Sequence, residues 1–231
     1  MMLSTHNLTA HYGDFQALFG VDIEVAAGEI VAVIGANGSG KSTLLKAITG
    51  LISAEREAVR FEGRAIGGLP GHRVLALGIA MVPEGRRLFP SLSVEENLLL
   101  GAYRNRPGSW NLARVYELFP VLGEKRQVSS TSLSGGQQQM VAIGRALMSN
   151  PRLLICDEMS LGLAPIVIKD IYESLPVLNS EGVTLIIVEQ DVSLAMRVSN
   201  RLYCIQEGRV SLSGRSSEVT REQVSAAYFG V

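Results

Sequence analysis

One run of residues carries the clearest chemistry. Gly35-Ala36-Asn37-Gly38-Ser39-Gly40-Lys41-Ser42 fits the spacing G-x-x-x-x-G-K-[ST] at every specified position, and Thr43 follows it. Backbone N–H groups at the start of a helix meet a polyphosphate with fixed dipoles, and glycines at 35, 38 and 40 leave no Cβ in the way. Lys41 supplies a point charge for the outer phosphates and Ser42 an oxygen for Mg²⁺. A ligand-free glycine turn is the alternative. It leaves unexplained why an apolar strand precedes the loop and a helical LLKAIT segment follows, closed by Gly50. The segment reads as a nucleotide site.

Two more clusters carry chemistry. Leu153-Leu154-Ile155-Cys156-Asp157-Glu158 is an apolar strand ending in two carboxylates, at the sheet edge where such folds bind ligands. Asp157 suits the outer shell of Mg²⁺, and Glu158 suits a base that orients and polarises water. Acids after a strand can also merely solvate a turn, but a phosphate loop in the same chain argues against that. Upstream, Leu133-Ser134-Gly135-Gly136-Gln137 precedes a helical stretch, so a serine cap and two glycines make a second helix start of the anion-binding kind.

These residues need an α/β frame. Ile30–Ile34 is too uniformly apolar for a strand with a wet face and predicts a central parallel strand. Val21, Ile23 and Val25 alternate with Asp22 and Glu24, which predicts a half-buried strand ahead of it. Between Leu88 and Ser132 the texture is helical. Ser93 and Glu96 form a capping box, and Leu112, Val115, Tyr116 and Phe119 keep a helical period that Pro120 should stop. Helix with Met140, Ile143 and Leu147, strand Leu153–Cys156, helix from Pro165, strand Val183–Val188 and a hairpin about Glu207-Gly208 complete the alternation, which argues a parallel sheet. The expected organisation is an α/β core from 1–84 and 151–231 carrying an N-terminal antiparallel β part, with a helical lobe inserted over roughly 85–150.

Composition excludes several classes. The chain has 231 residues, 47% hydrophobic, with 21 basic against 22 acidic side chains, so it offers no generally basic face to nucleic acid. Two cysteines, both in apolar runs, cannot build a disulfide framework or a four-thiolate zinc site. No apolar stretch is long enough to span a bilayer, and no basic flank followed by an apolar block opens the chain, so neither a membrane span nor a signal peptide is expected.

The segment LSGGQ, together with the order phosphate loop, LSGGQ, acidic strand, resembles the ABC-type ATPases across most of the chain. The resemblance implies the P-loop ABC ATPase fold, ATP and Mg²⁺ as ligands, and two such domains sandwiching two nucleotides, the signature of one facing the γ-phosphate held by the other. It implies further roles position by position. Tyr12 would stack on adenine, although a plain strand tyrosine is nearly as good a reading. Met81–Phe89 would be the joint between core and lobe, with Glu84 in the place of a glutamine and able to ligate Mg²⁺. Ser160–Leu163 would touch the opposite subunit, and Gln190 would stand where a histidine contacts the γ-phosphate.

An amide at 190 can donate a hydrogen bond but carries no charge, and Met159 replaces a common proline. These departures have a pattern. VPEGRRLF, SLGLAP and VEQ, with HYGDFQAL, are similar to the LivF-type ATPases of branched-chain amino acid uptake. That implies an importer subunit on the cytoplasmic face of the inner membrane, soluble when isolated. Its partners would be a related ATPase or a second copy, two transmembrane permeases and a separate solute-binding protein, with no nucleic acid. Another small solute such as urea stays open. So do a non-transport ABC ATPase, which the short interval from Lys41 to Ser134 leaves no coiled coil to support, and a non-hydrolysing subunit, against which Glu158 speaks.

Overall fold

A computed structural model describes residues 1–229. Along the first third run β1 (Leu3–Thr5), β2 (Leu8–Tyr12), β3 (Phe15–Val21), β4 (Glu24–Val25), β5 (Ile30–Ile34), α1 (Lys41–Ile48), β6 (Val59–Phe61), β7 (Arg64–Ala65) and α2 (Gly71–Leu77). Next come β8 (Ile79–Val82), α3 (Val94–Gly101), α4 (Leu112–Leu118), α5 (Pro120–Glu124), α6 (Gly135–Leu147), β9 (Leu153–Asp157) and α7 (Pro165–Ser180). The chain closes with β10 (Thr184–Glu189), α8 (Val192–Val198), β11 (Arg201–Gln206), β12 (Arg209–Arg215) and α9 (Arg221–Phe229). Contacts divide these into two units, one of residues 1–74 with those from Thr184 onward, the other Leu75–Val183.

In the first unit β5 is the centre. It pairs in parallel with β10, Ile30 on Leu185 through Ile34 on Glu189, and with β11, Val31 on Arg201 through Ile34 on Cys204. All five of its side chains are buried, as the unbroken apolar run requires. Each valine or isoleucine so buried contributes roughly 1.5–3 kcal/mol. The β11–β12 hairpin adds an antiparallel edge, and β4, β1, β6 and β7 form a separate antiparallel sheet beside the β2–β3 ribbon.

The expected strand over Val21–Val25 is not continuous. Its burial alternates as anticipated, with Val21, Ile23 and Val25 buried and Asp22 and Glu24 exposed. The ladder nevertheless breaks, because Val21 pairs with Leu8 while Val25 pairs with Leu3. Thr5 Oγ1 fills the gap: it donates to Val21 O at 2.8 Å and accepts from Ile23 N at 2.9 Å.

In the second unit β8 and β9 pair in parallel from Ile79 on Leu153 to Val82 on Cys156. The Ser93 capping box is present, its hydroxyl accepting from Glu96 N and the Glu96 carboxylate accepting from Ser93 N. Pro120 ends α4 but also starts α5 at its first turn, where the missing N–H costs nothing. Leu98, Val115, Leu122, Ile143 and Leu147 make the helical core. Pro176 lies inside α7.

Candidate nucleotide site

The phosphate loop leaves the C-terminal end of β5 and enters α1 through Gly40, at φ 110°. No side chain caps α1 and no acid sits in its first turn, the kind of helix start that receives an anion. A Cβ on Gly35 would sit 2.2 Å from Ile205 O and 2.6 Å from Ser39 Oγ, so only glycine lets the loop turn tightly there. Ser39 Oγ is buried without a hydrogen-bond partner, the kind of polar atom a bound phosphate satisfies. Lys41 is buried, and its Nζ donates to Gly35 O at 2.9 Å and Ala36 O at 3.0 Å. Those bonds hold the ammonium within the curve of the loop, while Ala36, Asn37 and Gly38 are exposed and Ser42 is half-buried.

Tyr12 ends β2 and is 46% exposed, its hydroxyl 3.4 Å from Thr43 Oγ1 and Lys46 Nζ 6.0 Å from the ring centroid. An open aromatic face tethered to α1 is compatible with stacking on a base. Gln190 follows Glu189, which is registered on Ile34, so the parallel ladder brings Gln190 beside the start of the phosphate loop. Cys204 is registered on the same Ile34, and burial raises its thiol pKa, which makes it an inert core group.

In the second unit the β8–β9 register sends two sets of acids off the same end of the strand pair. Asp157 follows Cys156 and is buried, Glu158 is half-buried, and Glu84 stands two residues beyond Val82 and is exposed. Glu158 has φ 48°, an uncommon left-handed conformation for a non-glycine residue. Ser134 caps α6 through a capping box: its hydroxyl accepts from Gln137 N at 3.3 Å, and Gln137 Oε1 accepts from Ser134 N at 3.1 Å. Gly136 is packed so closely that a Cβ would meet Val167 at 2.2 Å. Serine, glycine pair and glutamine therefore each have a structural reason in the turn, and Ser134 itself is exposed.

Three residues with clear jobs gave no signal in the sequence reading. Asn97, fully buried, fastens the Phe89–Ser93 loop with its amide. Arg145 donates to Arg86 O at 3.0 Å and lies 5.7 Å from the Phe89 ring, and desolvation lowers its pKa. Arg86 reaches α6, where its Nη1 donates to Gln138 Oε1 at 3.2 Å. Arg145 and Arg86 depend on partners more than 50 residues away, and Asn97 on a loop four to eight residues upstream. Among the described residues no cluster of His, Cys, Asp and Glu could hold a metal alone. Mg²⁺ in phosphate sites takes one or two protein oxygens and completes its shell from phosphate and water, so it does not require such a cluster.

The family model described as ABC transporter matches residues 18–160. The chain is 45% identical over 232 residues to the high-affinity branched-chain amino acid transport ATP-binding protein BraG of Pseudomonas aeruginosa, covering 99% of this chain and 100% of the relative. A nucleotide-free ATP-binding cassette from an ABC transporter superposes with TM-score 0.84 at 29% identity, over 100% of this chain and 95% of that one. The ADP conformation of another such cassette gives TM-score 0.78 at 30% identity, over 97% and 93% of the two chains. A match over more than half the chain, with a relative this similar along its whole length, shows that the chain belongs to the ABC transporter ATPases.

Proposed function

We propose that this chain is the ATP-hydrolysing subunit of an importer for branched-chain, hydrophobic amino acids. The observation that carries the reading is the end-to-end 45% identity to a branched-chain amino acid transport ATP-binding protein. The residues supply the chemistry. The N–H groups from Gly35 to Thr43 and the Lys41 ammonium bind and orient the triphosphate, and Tyr12 stacks on the base. Ser42 and Asp157 hold Mg²⁺, with Glu84 as a further oxygen ligand; when bound, the ion neutralises charge on the outer phosphate oxygens. Glu158 polarises the attacking water, and the Gln190 amide donates a hydrogen bond to the γ-phosphate. Ser134, Gly135, Gly136 and Gln137 seal the nucleotide of a second ATPase subunit, so a lone chain hydrolyses poorly.

Among the described residues no helix is long and apolar enough to cross a membrane, so contact with the bilayer runs through partners. Those partners are a related ATPase or a second copy, two permeases and a solute-binding protein, with the chain peripheral on the cytoplasmic face of the inner membrane. The helical segment 85–150 carries the signature and transmits motion. Phe89, Leu100 and Tyr103, all exposed, line a largely apolar cavity of about 390 Å³ that would receive a cytoplasmic helix of a permease. The test is ATPase activity of the purified membrane complex with its solute-binding protein. Leucine, isoleucine or valine should stimulate it; stimulation by urea alone would reassign the solute.

A further inference from the structure

Two cations stand at the first turn of α6 on neutral partners. Arg86 Nη1 donates to Gln138 Oε1 at 3.2 Å, and Lys125 Nζ donates to Gln137 Oε1 at 3.2 Å. Both acceptors are neutral amides, and among the described residues neither cation has a carboxylate within ion-pair distance. The Arg86 guanidinium lies against Gly135 so closely that a Cβ there would come within 3.1 Å of Nη2 and 3.4 Å of Cζ and Nη1. The helix end adds roughly half a positive charge of its own.

This arrangement has a cost. Like charges gathered at a helix N-terminus repel one another. Arg86 and the following Arg87 also take left-handed backbone, at φ 64° and 49°, a conformation that strains any residue but glycine. A positive cluster held against both penalties lacks only an anion. A phosphate oxygen would displace the neutral amides readily, since charge-assisted hydrogen bonds are roughly twice as strong as neutral ones. The planar arginine fork suits two phosphate oxygens and the lysine one.

We infer that Arg86 and Lys125 contact the terminal phosphates of the nucleotide carried by a second ATPase subunit, alongside the N–H groups of the Ser134–Gln137 turn. The inference rests on the reading above, in which that turn seals the partner's nucleotide. It adds to a turn of neutral side chains two charged residues from different loops of the same unit, at 86 and 125.

The test is ATPase activity of the assembled transporter against MgATP concentration. Arg86→Gln and Lys125→Gln should each raise the half-saturating MgATP about 3- to 10-fold, and together about 30-fold. Arg86→Lys and Lys125→Arg should recover most of the loss. Arg87→Gln, at an exposed neighbour, should change little. Added salt should raise the wild-type half-saturation more steeply than that of the double variant. Unchanged thermal melting of the isolated variant chains keeps a folding defect apart from the effect. Ser134→Glu, at an exposed position of the turn, serves as the control on the underlying reading: if it leaves hydrolysis intact, the turn does not seal a nucleotide at all. If Ser134→Glu abolishes hydrolysis with unchanged melting while the double glutamine variant keeps wild-type half-saturation at every salt concentration, the two cations have no such role. Failure of Arg86→Lys to recover what Arg86→Gln loses would make Arg86 a packing residue and overturn its part of the inference.

Discussion

Asn97 is fully buried, and Asn97→Ala should unfasten the loop that leads into α3. Its Oδ1 accepts from Phe89 N at 2.9 Å, while Nδ2 donates to Phe89 O, Leu92 O and Ser93 O at 3.1, 3.3 and 2.9 Å. The carbonyls keep other partners, since Ser130 Oγ donates to Phe89 O and Ser130 N to Leu92 O. Phe89 N does not, and is left without an acceptor. Two short bonds at about 1 kcal/mol net each, plus about 1–2 kcal/mol for the orphaned N–H, give a loss of about 3–4 kcal/mol. The single tryptophan, Trp110, is 6% exposed and lies in the same unit, so its fluorescence reports unfolding in urea. With a urea slope of about 2 kcal/mol per molar, the midpoint should fall by about 1.5–2 M. Asn97→Asp should be worse at neutral pH, because a carboxylate would face three carbonyl oxygens, and should recover partly on acidification. A midpoint drop below about 0.3 M for Asn97→Ala would mean that water or the loop itself replaces the amide, and the reasoning would fail.

Glu158→Gln should retain ATP binding but cut turnover about 10²–10⁴-fold, the range of a lost general base; near-normal turnover in a phosphate-release assay would remove Glu158 from that role. Gly40→Ala should weaken nucleotide binding at least about tenfold in titration calorimetry, because a Cβ at φ 110° would press on Leu18 Cδ2 at 2.9 Å and displace the start of α1. Tyr116 has its pKa raised to about 12, first by desolvation and then by its hydrogen bond to Glu95. A raised phenol pKa stabilises the fold fully below the unfolded value near 10 and loses that contribution as pH climbs toward 12. Melting temperature should therefore drop over that window in the parent chain and drop less in Tyr116→Phe.

What could be read in the sequence was local. The phosphate loop, the Ser93 and Ser134 caps and the buried strand at Ile30–Ile34 are fixed by neighbours within a few residues, and they are where the sequence places them. The apolar run Leu153–Cys156 was legible as a buried strand, and β9 ends at Asp157 with Glu158 next. The break between Val21 and Val25 was not legible, because it depends on Val21 pairing with Leu8 and Val25 with Leu3 in separate sheets, and on a threonine hydroxyl from β1. Pro120 was ambiguous for another reason: proline ends one helix and begins the next with the same missing donor. Asn97, Arg86 and Lys125 have no diagnostic spacing, since an amide or a cation announces its role only through the carbonyl or helix end it meets.

The pairing of β5 has a consequence for biosynthesis. Its partners β10 and β11 lie beyond the whole of residues 75–183, so the most apolar strand of the first unit leaves the ribosome long before either neighbour exists. At about 5–20 residues per second that wait is on the order of ten seconds or more. The contiguous middle unit can organise during that interval, while Ile30–Ile34 stays uncovered and open to sticking. The nascent chain thus has a built-in window in which a holding chaperone has something to grip.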